Sequence, residues 1–242
     1  MAWTGSDRCV RERLIVALDV PDARRALELV ERMEERVRWF KVGLELYLSE
    51  GNQMIEMLRG RGFSVFLDLK LHDIPKTVAG AVQSASRAGA EMLTLHAGGG
   101  PAMMAAAVDA ASAMKDAPLL LAVTVLTSMD DTQLHAVGVP DTPAVQVLRL
   151  ARTGWEAGIR GFVGSAEEAG AMRREFPDAT LVIPGIRPAG SSLGDQKRVA
   201  TPQAAMAAGA DYLVVGRPIT RAADPAAAAA AILEEIRGAS VR

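Results

Sequence analysis

Residues 63–77 read FSVFLDLKLHDIPKT, an apolar run that ends in charge and then in a helix start. Residues 63–70 have the composition of a strand. Side chains on a strand alternate between its faces, so Phe66, Asp68 and Lys70 share one face and Val65, Leu67 and Leu69 the other. One face is apolar throughout, and the other ends in an acid and a base roughly 7 Å apart along the chain. That pattern suits a pocket at the C-terminal end of a buried strand, because charges on such a strand need partners or a chemical task. Asp73 lies just past the strand, and Pro75 marks the first turn of a helix. A plainer reading of the same residues is a surface salt bridge followed by an aspartate helix cap.

The strand-then-helix unit recurs on both sides of this stretch. Apolar runs at residues 14–18, 38–42, 92–96, 119–125, 161–163, 180–183 and 211–215 read as further strands. Between them, Ala23, Ala26, Leu27, Val30 and Met33 recur at helical spacing, and helices are expected at 53–59, 75–88, 101–114, 142–157, 167–175 and 224–237. Gly89 stops the helix that Pro75 begins. Eight such units imply a parallel sheet with helical crossovers, and eight strands close a barrel. The expected architecture is therefore an α/β fold, a single-domain (β/α)8 TIM barrel spanning residues 1–242, close to the roughly 250 residues usual for that fold. An open doubly wound sheet is the alternative.

Formal net charge is -2, so no basic excess suggests nucleic acid or an anionic membrane as partner. Cys9 is the single cysteine, which excludes an intrachain disulfide and a cysteine-rich metal cluster and fits a reducing compartment. The three histidines have no metal-ligand spacing. With no apolar leader at residues 1–13 and no long uninterrupted apolar run, the expected location is the cytoplasm.

In a (β/α)8 barrel the active site lies at the C-terminal ends of the strands. Asp19, Lys41, the pair Asp68 and Lys70, His96, Thr127, Arg187 and Gly216–Arg217 all fall there. An alternating array of Lys41, Asp68, Lys70 and Asp73 would let each charge stabilise its neighbour in a poorly hydrated site. The loops after strands 7 and 8 usually hold phosphate in this architecture. Here they carry Arg187, Gln196, Gly216 and Arg217, although Arg217 alone would equally suit a surface salt bridge. Residues 187–198 form a rim loop with the composition of a lid. His96 is read equally well as a hydrogen-bonded interior histidine or as a substrate contact, while His72 and His135 read as structural or exposed.

Asp68-x-Lys70-x-x-Asp73 followed by Ile74-Pro75-x-Thr77 resembles the signature of the orotidine 5'-monophosphate decarboxylase family. Leu18-Asp19 resembles the family's ribose-contacting strand end, and Phe40-Lys41-Val42-Gly43 its second-strand lysine. Residues 124–127 (TVLT) resemble its pyrimidine-reading segment, while Pro184-Gly185-Ile186-Arg187 with Asp195-Gln196, and Val215-Gly216-Arg217-Pro218, resemble its phosphate lid and clamp. The resemblance implies conversion of orotidine 5'-monophosphate to UMP, the last step of UMP synthesis, with no metal and no cofactor and with Lys70 giving the proton to C6. It also implies a homodimer in which Asp73 and Thr77 complete the partner's site. Magnesium-dependent siblings acting on sugar phosphates carry an acid where Lys41 stands. A non-catalytic phosphate-binding barrel would need no Asp68 beside Lys70.

Overall fold

The computed structural model describes residues 10–33, 36–188 and 199–239. Eight strands, β1 (Leu14–Ala17), β2 (Trp39–Gly43), β3 (Ser64–Leu71), β4 (Met92–His96), β5 (Leu119–Val123), β6 (Gly161–Val163), β7 (Thr180–Ile183) and β8 (Tyr212–Val215), close into one barrel in sequence order. Every pair is parallel, and β8 closes on β1 with Ile15 opposite Val214. The (β/α)8 expectation holds, and the open sheet is excluded by that closing pair.

Helices cross between the strands because their apolar stripes need the outside of the sheet to be buried. In Ala23–Met33 the residues turned inward are Ala26, Val30 and Met33. In Pro75–Ala88 they are Val78, Val82, Ala85, Ser86 and Ala88, and Gly89 ends the helix in the left-handed conformation, as its position predicts. A short helix at Asp131–Ala136 lies where the periodicity gives only a loop. It is held by a capping box in which Asp130 accepts from the Gln133 N–H and the Gln133 side chain accepts from the Asp130 N–H. The expected strand over 119–125 ends at Val123, and the chain turns towards the rim from there.

The barrel interior is built in rows. Ile15, Trp39, Phe66, Met92, Leu121, Val182 and Val214 form an apolar cluster separate from the larger core between sheet and helices. Residues two positions further along each strand face the same way. Trp39 is thus followed by Lys41 and Gly43, Phe66 by Asp68, Met92 by Thr94 and His96, and Val214 by Gly216. The lower end of the interior is closed by side chains, with Trp39 meeting Tyr212 edge to face at 5.8 Å. Polarity begins only at the C-terminal end.

One strand departs from simple alternation. The register of β3 against β4 shifts between Leu67 and Leu71, and Lys70 has φ 51°, the only positive φ outside glycine among the described residues. Lys70 reaches the side of Asp68 through this bulge rather than by the two-residue repeat that predicts it there.

Candidate active site

A cavity of about 450 Å³ opens at the C-terminal ends of the strands. Among its walls are Asp19, Lys41, Asp68 and Lys70 from the ends of β1 to β3, Thr127 after β5, and Arg187, Gly216 and Arg217 after β7 and β8. Eight of the residues singled out in the sequence are thereby brought to one place.

The charged side is tightly connected. Lys41 Nζ stands 2.8 Å from Asp19 Oδ1 and 3.6 Å from Asp68 Oδ2. Lys70 Nζ donates to both carboxylate oxygens of Asp68, at 2.8 and 2.9 Å. The Thr94 hydroxyl donates to Asp68 Oδ1 at 2.9 Å. Burial alone would push the Asp68 carboxyl up, but the charges of Lys41 and Lys70, with the hydrogen bonds from Lys70 and Thr94, outweigh it and hold the group below its ordinary pKa. Asp68 is a fixed anion between two ammonium groups. The side chains of Lys41 and Asp68 are only 9% and 13% exposed, so this is no surface salt bridge. A Cβ at Gly43 would lie 2.9 Å from Lys41 Nζ and 3.1 Å from Asp19 Oδ1, so a side chain there would push this ion pair out of place.

After β8, which pairs with β1, Gly216 leads into the short helix Arg217–Thr220, and Arg187 follows β7. The stem of the rim loop is closed by the Arg187 N–H donating to the Ala200 carbonyl at 2.9 Å. Gln196 and most of the expected lid, residues 189–198, lie outside the described residues. Thr127 reaches the cavity, whereas the Thr124 hydroxyl is used within the barrel, donating to the Val163 carbonyl at 3.0 Å.

Asp73 and Thr77 are exposed and do not line the cavity of their own chain. Asp73 does not cap the helix that follows. Its carboxylate accepts from the Ile74 N–H at 2.7 Å, and the residue at the cap position is Ile74. His96 is half-buried beside the exposed His72, ring centroids 5.4 Å apart, and lies outside the cavity lining. Burial lowers the His96 pKa, the charges of His72 and Lys70 act the same way, and Asp68 opposes them. The residue that sequence reasoning passes over is Thr94, fully buried in β4 and bonded to both Asp68 and Lys70. A lone threonine at an inward position of MLTLH is the only signal the sequence offers for it.

A sequence profile of the orotidine 5'-phosphate decarboxylase / HUMPS family matches residues 12–232. A curated relative named orotidine 5'-phosphate decarboxylase, from Halorhodospira halophila, is 52% identical over 228 residues, covering 94% of this chain and 97% of its own. Another of that name, from Dichelobacter nodosus, is 52% identical over 221 residues, covering 91% and 96%. The crystal structure of orotidine 5'-phosphate decarboxylase from Lactobacillus acidophilus superposes with a TM-score of 0.82 at 36% identity, covering 94% of this chain and 100% of that one. With the profile spanning most of the barrel and such relatives matching it nearly end to end, the chain belongs to the orotidine 5'-phosphate decarboxylase / HUMPS family.

Proposed function

We propose that the protein decarboxylates orotidine 5'-monophosphate to UMP, the last step of UMP synthesis, without metal or cofactor. The observation that carries this reading is the Lys70 ammonium held on both oxygens of a buried carboxylate, with Lys41 on that carboxylate's other flank. The names of the relatives support it. Breaking the bond from C6 to the carboxylate releases carbon dioxide and leaves the electron pair on C6. An ammonium fixed nearby stabilises that charge and then quenches it, the proton passing from Lys70 Nζ to C6 and being replaced from solvent. Asp68 keeps Lys70 in place and presents a negative charge where the substrate carboxylate would lie. Arg187, Gly216 and Arg217, after β7 and β8, suit the 5'-phosphate, and binding energy remote from C6 can serve the chemical step.

The family also includes members outside the decarboxylase branch, and Lys41 speaks for the decarboxylase. Its ammonium occupies the space between the Asp19 and Asp68 carboxylates, the two groups a divalent cation would need. The expected result is loss of orotidylate absorbance with formation of UMP, unchanged by EDTA. Activity abolished by chelation and restored by magnesium would replace this reading with that of a sugar-phosphate sibling.

The active unit in this proposal is a homodimer, each chain giving Asp73 and Thr77 to its partner's site. Both lie on the rim beyond the cavity. Close to them in sequence Ile74 is 67% exposed, and Leu44, at the cavity mouth, is 50% exposed. Apolar side chains at such a rim favour a second protein surface over water.

A further inference from the structure

The structure assigns Thr94 as a positioning residue for the reaction: one buried hydroxyl fixes both the Lys70 backbone and the Asp68 carboxylate. This assignment rests on the decarboxylase reading for its meaning, but its geometry stands independently. Lys70 occupies a left-handed conformation that a residue with a Cβ avoids unless its surroundings impose it. The imposing contact is specific. The Lys70 N–H donates to Thr94 Oγ1 at 2.8 Å, across the point where β3 loses register with β4. Extra residues in the bulge take the Lys70 amide out of the regular ladder, and the threonine hydroxyl serves as its acceptor.

The same oxygen carries a hydrogen in the other direction, donated to Asp68 Oδ1 at 2.9 Å. Since Lys70 Nζ is bound to that carboxylate at 2.8 and 2.9 Å, both ends of Lys70 are referenced to one side chain. The backbone end is held directly by Thr94 and the ammonium end through Asp68. Thr94 is itself fully buried in β4, and a β-branched side chain on a strand has few rotamers to explore. The hydroxyl is therefore supported by the sheet rather than by a loop, which is what holding an ammonium within a fraction of an ångström of its working place requires. The charged groups facing Asp68 are Lys41 from β2 and Lys70 from β3, with His96 of β4 beyond Thr94 acting on the same cluster. None of these supplies an acceptor for the Lys70 amide.

Thr94→Val keeps the shape of the side chain and removes only the hydroxyl, while Thr94→Ser keeps the hydroxyl and removes only the methyl. In Thr94→Val, kcat should fall about 100-fold with KM for orotidylate nearly unchanged, the loss expected for a misplaced reacting group. Thr94→Ser should restore most of the wild-type kcat. The carboxyl carbon of Asp68, followed by NMR in the unliganded protein, should titrate at higher pH in the valine variant than in wild type, because a hydrogen bond to the charged form has been removed. A valine variant with wild-type kcat, or a serine variant as impaired as the valine one, would overturn the assignment. So would an unchanged Asp68 titration. If Thr94→Val does not fold, Thr94→Ala carries the same test with the same expected and contrary outcomes. A wild-type protein inert towards orotidylate would overturn the decarboxylase reading instead, and the Asp68 titration would still decide the role of Thr94.

Discussion

Two halves of the same inward-facing rows have opposite chemistry. In the lower half, Trp39, Phe66, Met92, Leu121 and Val214 fill the barrel with apolar volume, and in the upper half the next inward positions are Lys41, Asp68, Thr94, the still apolar Val123, and Gly216. The step from one to the other is a single strand repeat, Phe66 to Asp68. Buried apolar contacts stabilise the barrel, whereas charges withdrawn from water cost free energy that their mutual attraction offsets only when the geometry is good. The upper half is good by that measure, with each charge at hydrogen-bonding or ion-pairing distance from the next. Stability and function are thus assigned to different depths of one sheet, and substitutions at the two depths should fail in different ways.

The largest effect is expected at the top. Lys70→Ala should leave the fold and UMP binding intact while lowering turnover by about 10⁴-fold or more, since proton donation and charge stabilisation are lost together. Near-normal turnover in that variant would remove Lys70 from its proposed role. At the lower depth the outcome reverses. Leu121 is fully buried among its apolar neighbours, and Leu121→Ala should cost about 2–5 kcal/mol in urea unfolding. Its kcat per folded molecule should stay close to wild type. A variant that kept its stability but lost kcat would show that the two depths are not separable.

A smaller effect is expected after β8, where the phosphate would bind. Arg217→Ala removes a charged donor, so kcat/KM for orotidylate should fall by about 10- to 100-fold. The same variant should treat a nucleoside analogue lacking the phosphate almost as wild type does. Equal losses on both substrates would mean that Arg217 holds the fold of the rim rather than the ligand.

Much of this division is legible in the amino-acid sequence alone. The number and order of the strands follow from apolar runs alternating with helical stripes, because each element must bury one face against the next layer. The inward positions of Lys41 and Asp68 follow from parity along β2 and β3, counted from Trp39 and Phe66. Lys70 shows where parity stops. Its φ and its place in a bulge are set by a hydrogen bond to a residue 24 positions away, which no local pattern in residues 63–77 contains. The helix Asp131–Ala136 escapes for a different reason: it is too short for periodicity and is announced only by its capping box. Gln196 lies outside the described residues.

At the rim the two halves differ once more. Within one chain the lower half of the barrel is complete, but the fourth member of the expected array, Asp73, stands outside the cavity with its carboxylate turned to the Ile74 N–H. If it serves a neighbouring chain, the upper half is complete only in a dimer. Lys70→Ala and Asp73→Ala chains, each inactive as a homodimer, should then rescue one another when subunits exchange. In a mixed dimer with shared sites, one site collects both substitutions and the other collects neither, because the intact Lys70 and the intact Asp73 come from different chains. Equal chains pairing at random give about half mixed dimers with half their sites intact, so roughly a quarter of wild-type activity should return. If Asp73 serves its own chain, every site in the mixture carries at least one substitution and nothing returns. The exchange can be followed independently by mass spectrometry of differently tagged chains, so an absence of recovery among demonstrably mixed dimers would reject the shared site and assign Asp73 to the array of its own chain.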